Sequence, residues 1–149
     1  MKLEDRIMAD LKEAMKAKDK ARMRGIRAVK QALLLAKTDG SGKELSAEDE
    51  IKLVQKLVKQ RKDSIKVYEE QSRADLAEVE QEEIDVLQNY LPEQMSEEDL
   101  TAFLKNLVGE VNAEGMKDMG RVMGLASKQL AGKAEGQLIS KIVKSILMQ

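Results

Sequence analysis

From Leu3 to Leu91 apolar residues return every three or four positions, and no period of two is sustained anywhere in the 149 residues. Such spacing builds helices with one apolar side and leaves no segment suited to a sheet. Leu3, Ile7, Leu11 and Met15 predict a first helix, with Lys12, Lys16 and Lys18 outside. Met23, Ile26, Val29, Leu33 and Leu34 predict a second, followed by the loop "KTDGSGKEL" with Gly40 and Gly42 as breakers. A third carries Ile51, Val54, Val58, Ile65 and Tyr68, with Arg61 in the remaining position, and a fourth carries Leu76, Val79, Ile84, Leu87 and Leu91. The last two are expected to pair as a long antiparallel hairpin. The expected fold class is all-α.

Three segments carry one start signal. "SAED" from Ser46, "SRAD" from Ser72 and "SEED" from Ser96 each place serine three residues before aspartate. The serine oxygen can accept from the open N–H groups of a first turn, and the carboxylate can reach back. Pro92, the one proline, closes the fourth helix because it drives the preceding residue out of the α region. The expected organisation is a helical-hairpin domain over 1–92 and a small three-helix domain over 93–149. The three helices of the second domain are expected at about 97–112, 119–131 and 137–147.

Neither cysteine nor histidine occurs, which excludes disulfides, thiol nucleophiles, Cys/His zinc sites and a Ser-His triad. No catalytic residue, metal or cofactor is assigned. The longest apolar run, "ALLLA" from Ala32, is far short of the roughly 18–20 residues that span a bilayer, so no membrane partner is expected. "MKLEDRIMAD" carries acids where a secretory signal would be apolar, and the expected location is cytoplasmic.

A formal net charge of -1 conceals opposed blocks. Residues 2–30 and 52–66 carry +5 each, residues 67–100 carry -11, and residues 116–149 carry +4. Lys52, Lys56 and Lys59 are read as an ion-paired face against the acidic fourth helix. The acids of "EEQSRADLAEVEQEEID" alternate with Leu76, Val79 and Ile84 at helical spacing, which describes a solvated face rather than paired catalytic carboxylates. "GSGKE" from Gly40 lacks the Ser/Thr after lysine and the upstream glycine of a phosphate loop. Asp39 to Glu50 has the length of a calcium loop but Lys43 and Glu44 at the wrong places. Tyr68 and Tyr90 are read as packing residues rather than base-stacking platforms.

The segment "MGRVMGLASKQLAGKA" from Met119 departs from the rest. On a helix with Asp118 as its N-cap, Met119, Val122, Met123, Ala126 and Leu130 make the apolar face, while Gly120, Gly124, Ser127 and Ala131 make a stripe of small residues. Interior glycine costs a helix about 0.5–1 kcal/mol relative to alanine, so the stripe needs a reason. One is close packing of the neighbouring helices. The other is a guest backbone, since Arg121, Lys128, Lys133, Lys141 and Lys144 surround small residues with cations suited to sugar–phosphate. Gly132 is expected to end the helix in the left-handed region.

"YLPEQMSEEDL" from Tyr90, "KDMGRVMG" from Lys117, "GKAEGQLISKIV" from Gly132 and "KQRKDSI" from Lys59 together resemble the YqeY family, over nearly the whole chain. That family's C-terminal (GatB/YqeY) domain is similar to the tail of the B subunit of glutamine-dependent aminoacyl-tRNA amidotransferases, where the tail helps hold tRNA. Met119, Gly120, Val122, Met123, Gly124, Gly132, Lys133 and Ala134 match the recurring tail pattern, with "GKAEG" where the amidotransferases usually read "GKAN". The resemblance implies a helical protein associated with tRNA, an amidotransferase or another translation component. Gly120, Arg121, Gly124, Lys128, Gly132, Lys133, Lys141 and Lys144 are its candidate nucleic-acid-binding residues. The activity attached to the family is that of a carbon–nitrogen ligase with glutamine as amido-N-donor. The large body of the B subunit is absent, however, so the chain is read as non-catalytic on its own. The alternative is a protein-interaction adaptor with no direct RNA contact.

Overall fold

A computed structural model describes residues 1–39 and 44–149. It contains seven α-helices and, among the described residues, no strand: α1 Leu3–Ala17, α2 Lys20–Lys37, α3 Ala47–Glu70, α4 Ala74–Gln88, α5 Glu97–Glu110, α6 Met119–Gln129 and α7 Gly136–Leu147. The fold is all-α, as the periodicity demanded. The centre of the loop, with Gly40 and Gly42 and all but the last residue of "GSGKE", lies outside the described residues. No described helix is long and apolar enough to cross a membrane. The chain divides into two compact units, Met1–Pro92 and Glu93–Gln149, each with its own apolar core.

In the first unit α3 and α4 form the most extensive pairing, and α2 packs on both α1 and α4. Ile7, Ile26, Val29, Val54, Ile84 and Leu87 are fully enclosed. Burial of each such side chain stabilises the unit by about 1.5–3 kcal/mol. On α4 the inward positions are Ala77, Ile84 and Leu87, whereas Val79, expected inside, is exposed. Helix α2 approaches α4 closely at Gly25. A Cβ built there would lie 2.7 Å from Val86 Cγ1 and 2.8 Å from Val86 Cβ. No side chain fits between α2 and α4 at that point.

The start signals have unequal fates. Ser46 and Asp49 form a full capping box on α3, with both bonds at 3.1 Å. Ser96 caps α5 by accepting from Asp99 N–H at 3.1 Å. Ser72 does not cap α4. It takes φ 58 after α3, where Arg73 N–H reaches Tyr68 C=O at 2.8 Å and Ser72 N–H reaches Glu69 C=O at 3.1 Å. That pair of bonds satisfies the last carbonyls of α3, and the serine is occupied by ending one helix instead of starting the next. Asp75 instead holds Arg73 through two bonds, at 3.0 and 3.1 Å.

The expected ion pairing of the 52–66 block is also different. Lys52, Lys56 and Lys59 are exposed, and Lys52 lies 3.4 Å from Glu48 of its own helix. The acids of α4 are met by arginines: Arg61 lies 3.8 Å from Glu83 in a mostly buried pair, and Arg24 lies 2.8 Å from Glu82. Lysines at these spacings share the side of α3 opposite Val54 and Val58, so they face water.

In the second unit α7 packs on both α5 and α6. Leu100, Leu104, Val122, Ala126 and Val143 are fully enclosed. Helices α5 and α6 each stop two residues before the expected ends, α5 at Glu110, with Asn112 at φ 53, and α6 at Gln129. The 93–95 segment is strapped to the turn after α6: Gln94 Nε2 donates to Gly132 C=O at 2.5 Å, and Met95 N–H donates to Lys133 C=O at 3.0 Å.

Candidate nucleic-acid interface

Helix α6 is held to its unit by Val122 and Ala126, both fully buried, with Met119 and Met123 half-buried beside them. At about 100° per residue the opposite side carries Gly124, Arg121 and Lys128. The two cations, seven residues apart, point within about 20° of each other, and Gly124 lies about 40° from Lys128. Gly120 and Ser127 follow on the flank, and all five residues are exposed. A Cβ built on Gly120 or Gly124 meets nothing within 4 Å. The explanation by close packing of neighbouring helices therefore fails: these glycines border open space, beside two cations on the same side.

Asp118 does not cap α6. Its carboxylate turns back to accept from Glu114 N–H at 2.9 Å, and its other oxygen lies 3.4 Å from Arg121. Arg121 is thus loosely tethered toward the start of the helix while about half exposed. An exposed pair of this kind is weak and is easily exchanged for a stronger anionic partner.

The other expected residues separate. Gly132 is buried and belongs to the scaffold rather than to an interface. It adopts φ 78 as the third residue of a turn closed by Lys133 N–H on Leu130 C=O at 2.8 Å, and its own carbonyl is held by Gln94. Only glycine adopts that backbone without strain. Ala134 is buried in the core, and the Lys133 carbonyl holds Met95, so the "GKA" segment is chiefly a structural turn. The Lys133 side chain is exposed, as are Lys141 and Lys144, which sit three residues apart on one side of α7, away from Ile139 and Val143. The strap of Gln94 and Met95 escaped the sequence reading because it is a long-range contact with no local periodicity. Among the described residues no group of His, Cys, Asp or Glu is arranged to hold a metal ion.

Comparison with known proteins supplies the kinship. A profile of the Yqey-like protein family (YqeY) matches residues 4–147. The chain is 31% identical over 146 residues to "Altered inheritance of mitochondria protein 41, mitochondrial" of Pyrenophora tritici-repentis, an alignment covering 95% of this chain and 79% of that protein. It is 38% identical over 104 residues to the protein of that name in Lachancea thermotolerans, covering 68% of this chain and little more than half, 56%, of the relative. The Candida glabrata protein of that name is 36% identical over 142 residues, covering 89% and 70%. These relatives are named as mitochondrial, which overturns the cytoplasmic expectation. Absence of cysteine and of a secretory apolar stretch does not separate the cytoplasm from other compartments. By the extent of the family match, the chain belongs to the Yqey-like protein family.

Proposed function

We propose that the second unit associates with tRNA through the outer side of α6, without catalysis of its own. The observation that carries this reading is the open glycine face: Gly120 and Gly124 have free space where a Cβ would stand, and Arg121 and Lys128 border it. A phosphate chain can approach a helix axis closely only where side chains are missing, and the flanking cations replace its counterions. Lys133, Lys141 and Lys144 add charge that positions without reading sequence. The resemblance to the amidotransferase tail names tRNA as the nucleic acid, and association with an amidotransferase or another translation component is part of the same proposal.

The test is fluorescence anisotropy of labelled total tRNA with the full chain across a salt series. Affinity is expected to fall with salt, and Arg121→Ala or Lys128→Ala should each reduce the slope of log affinity against log salt by about 1. Gly124→Leu should weaken binding while leaving the fold intact, because the added side chain fills the approach and touches no core. Binding unchanged in all three variants refutes the proposal. Capture of a protein that survives nuclease treatment, with no tRNA affinity, would establish the adaptor alternative instead.

A further inference from the structure

The first unit carries a second unabsorbed feature. Between α1 and α2 lies an apolar groove with a cavity of about 440 Å³, floored by Ile7, Leu11 and Leu33. Two apolar side chains of its walls stand in water: Met8 is 52% exposed and Leu34 is 61% exposed. Leu34 was expected inside the second helix's core face, yet α2 buries Gly25, Ile26, Val29 and Leu33 and turns Leu34 outward. Large apolar side chains left open along a groove between two helices mark an interaction surface.

The charges on the α2 rim of this groove are all basic, and the one acid that lines it is Glu4 of α1. Arg27, Lys30 and Lys37 line it from α2. Lys37 meets Glu4 of α1 at 2.5 Å, whereas Arg27 and Lys30 take part in no ion pair among the described residues. An occupant must therefore offer apolar side chains to the floor and acid to the α2 rim. The groove runs along two helix axes, and the stretch from Arg27 to Lys37 is about 15 Å long, the length of roughly three helical turns. A short amphipathic helix meets these demands, with apolar anchors at i, i+3, i+4 and i+7 and carboxylates along one flank. The pliable thioether of Met8 at the wall suits such a partner.

We infer that the α1–α2 groove is a docking site for an acidic amphipathic helix of a partner protein. A second copy of this chain is a poor occupant. Its acidic helix is α4, where Val79 is the one exposed large apolar side chain, and a single anchor does not fill a groove of this length.

The test uses the full chain and a fluorescent synthetic helix with leucines at i, i+3, i+4 and i+7 and glutamates along one flank, beside a twin with lysines in their place. The glutamate helix should bind saturably and the lysine twin about tenfold or more weaker, since like charges across an interface are strongly unfavourable. Leu34→Lys should weaken the glutamate helix. Arg27→Glu combined with Lys30→Glu should exchange the preference in favour of the lysine twin, an outcome that loss of folding cannot produce. All three positions are exposed or carry exposed side chains, so thermal melting of the variants should match the parent. Equal affinity for both helices, binding of neither, or a preference that does not exchange overturns the inference. So does self-association abolished by Leu34→Lys, which would seat a second copy there. The tRNA affinity of these variants should equal the parent's, which separates this result from the fate of the α6 proposal.

Discussion

Gly25 in α2 and the pair Gly120 and Gly124 in α6 are the same residue type in the same secondary structure, with opposite surroundings. At Gly25 a Cβ would overlap Val86 of α4, so the missing side chain sets how near two helices of one unit can lie. At Gly120 and Gly124 a Cβ would meet nothing, so the missing side chain leaves a gap facing outward. One glycine is explained by the protein's own packing and the other two are not. A helix weakened without internal compensation is the kind of feature expected where a guest must come close.

The largest effect that tests this contrast is Gly25→Ala. Overpacking against a stiff β-branched neighbour is expected to destabilise the first unit by about 1–3 kcal/mol, only partly offset by about 1 kcal/mol of better helix propensity. Urea unfolding followed by hydrogen exchange of α2 amides reads this unit separately. In a Val86→Ala background the same substitution should cost clearly less, because the 2.7 Å overlap with Val86 Cγ1 is gone and only that with Cβ at 2.8 Å remains. Equal stability of Gly25→Ala in both backgrounds would break the comparison. Next in size, Gly120→Ala with Gly124→Ala should raise the stability of the second unit by about 1–2 kcal/mol in total, from propensity alone. Destabilisation there would mean that these glycines pack against something after all.

The serine signals extend the same logic to helix ends. Ser46→Ala should cost about 1 kcal/mol by removing a formed cap. Ser72→Ala, at a serine that caps nothing, should change stability by only a few tenths of a kcal/mol. Comparable losses at both sites, measured by thermal unfolding, would show that the left-handed turn after α3 depends on the serine hydroxyl.

Local rules made much of the fold legible. Residues such as Ile7, Ile26, Val54 and Ile84 lie where the three-to-four spacing put them, because a helix's inward face follows from its own period. Ser46 and Ser96 cap because capping is settled within four residues. The failures at Val79, Leu34 and Gly132 are decisions between elements. Val79 and Leu34 fit the apolar period yet lie outside, since a helix with two candidate stripes turns toward whichever neighbour arrives. Gly132, placed in the candidate site, is buried, and Gln94 closes over its turn from 38 residues away in the chain, a pairing with no local signature. Conversely, Arg121 and Lys128 were legible as neighbours from their seven-residue spacing alone.

What this sequence determined by itself is helix content, several helix ends and the absence of histidine and cysteine chemistry, because each depends on residues within a turn or two or on composition. What only the tertiary structure decided is which glycine touches a neighbour and which leucine stays in water. Those outcomes depend on the distance and rotation between helices, which are set by the sum of many side-chain contacts and are encoded at no single position.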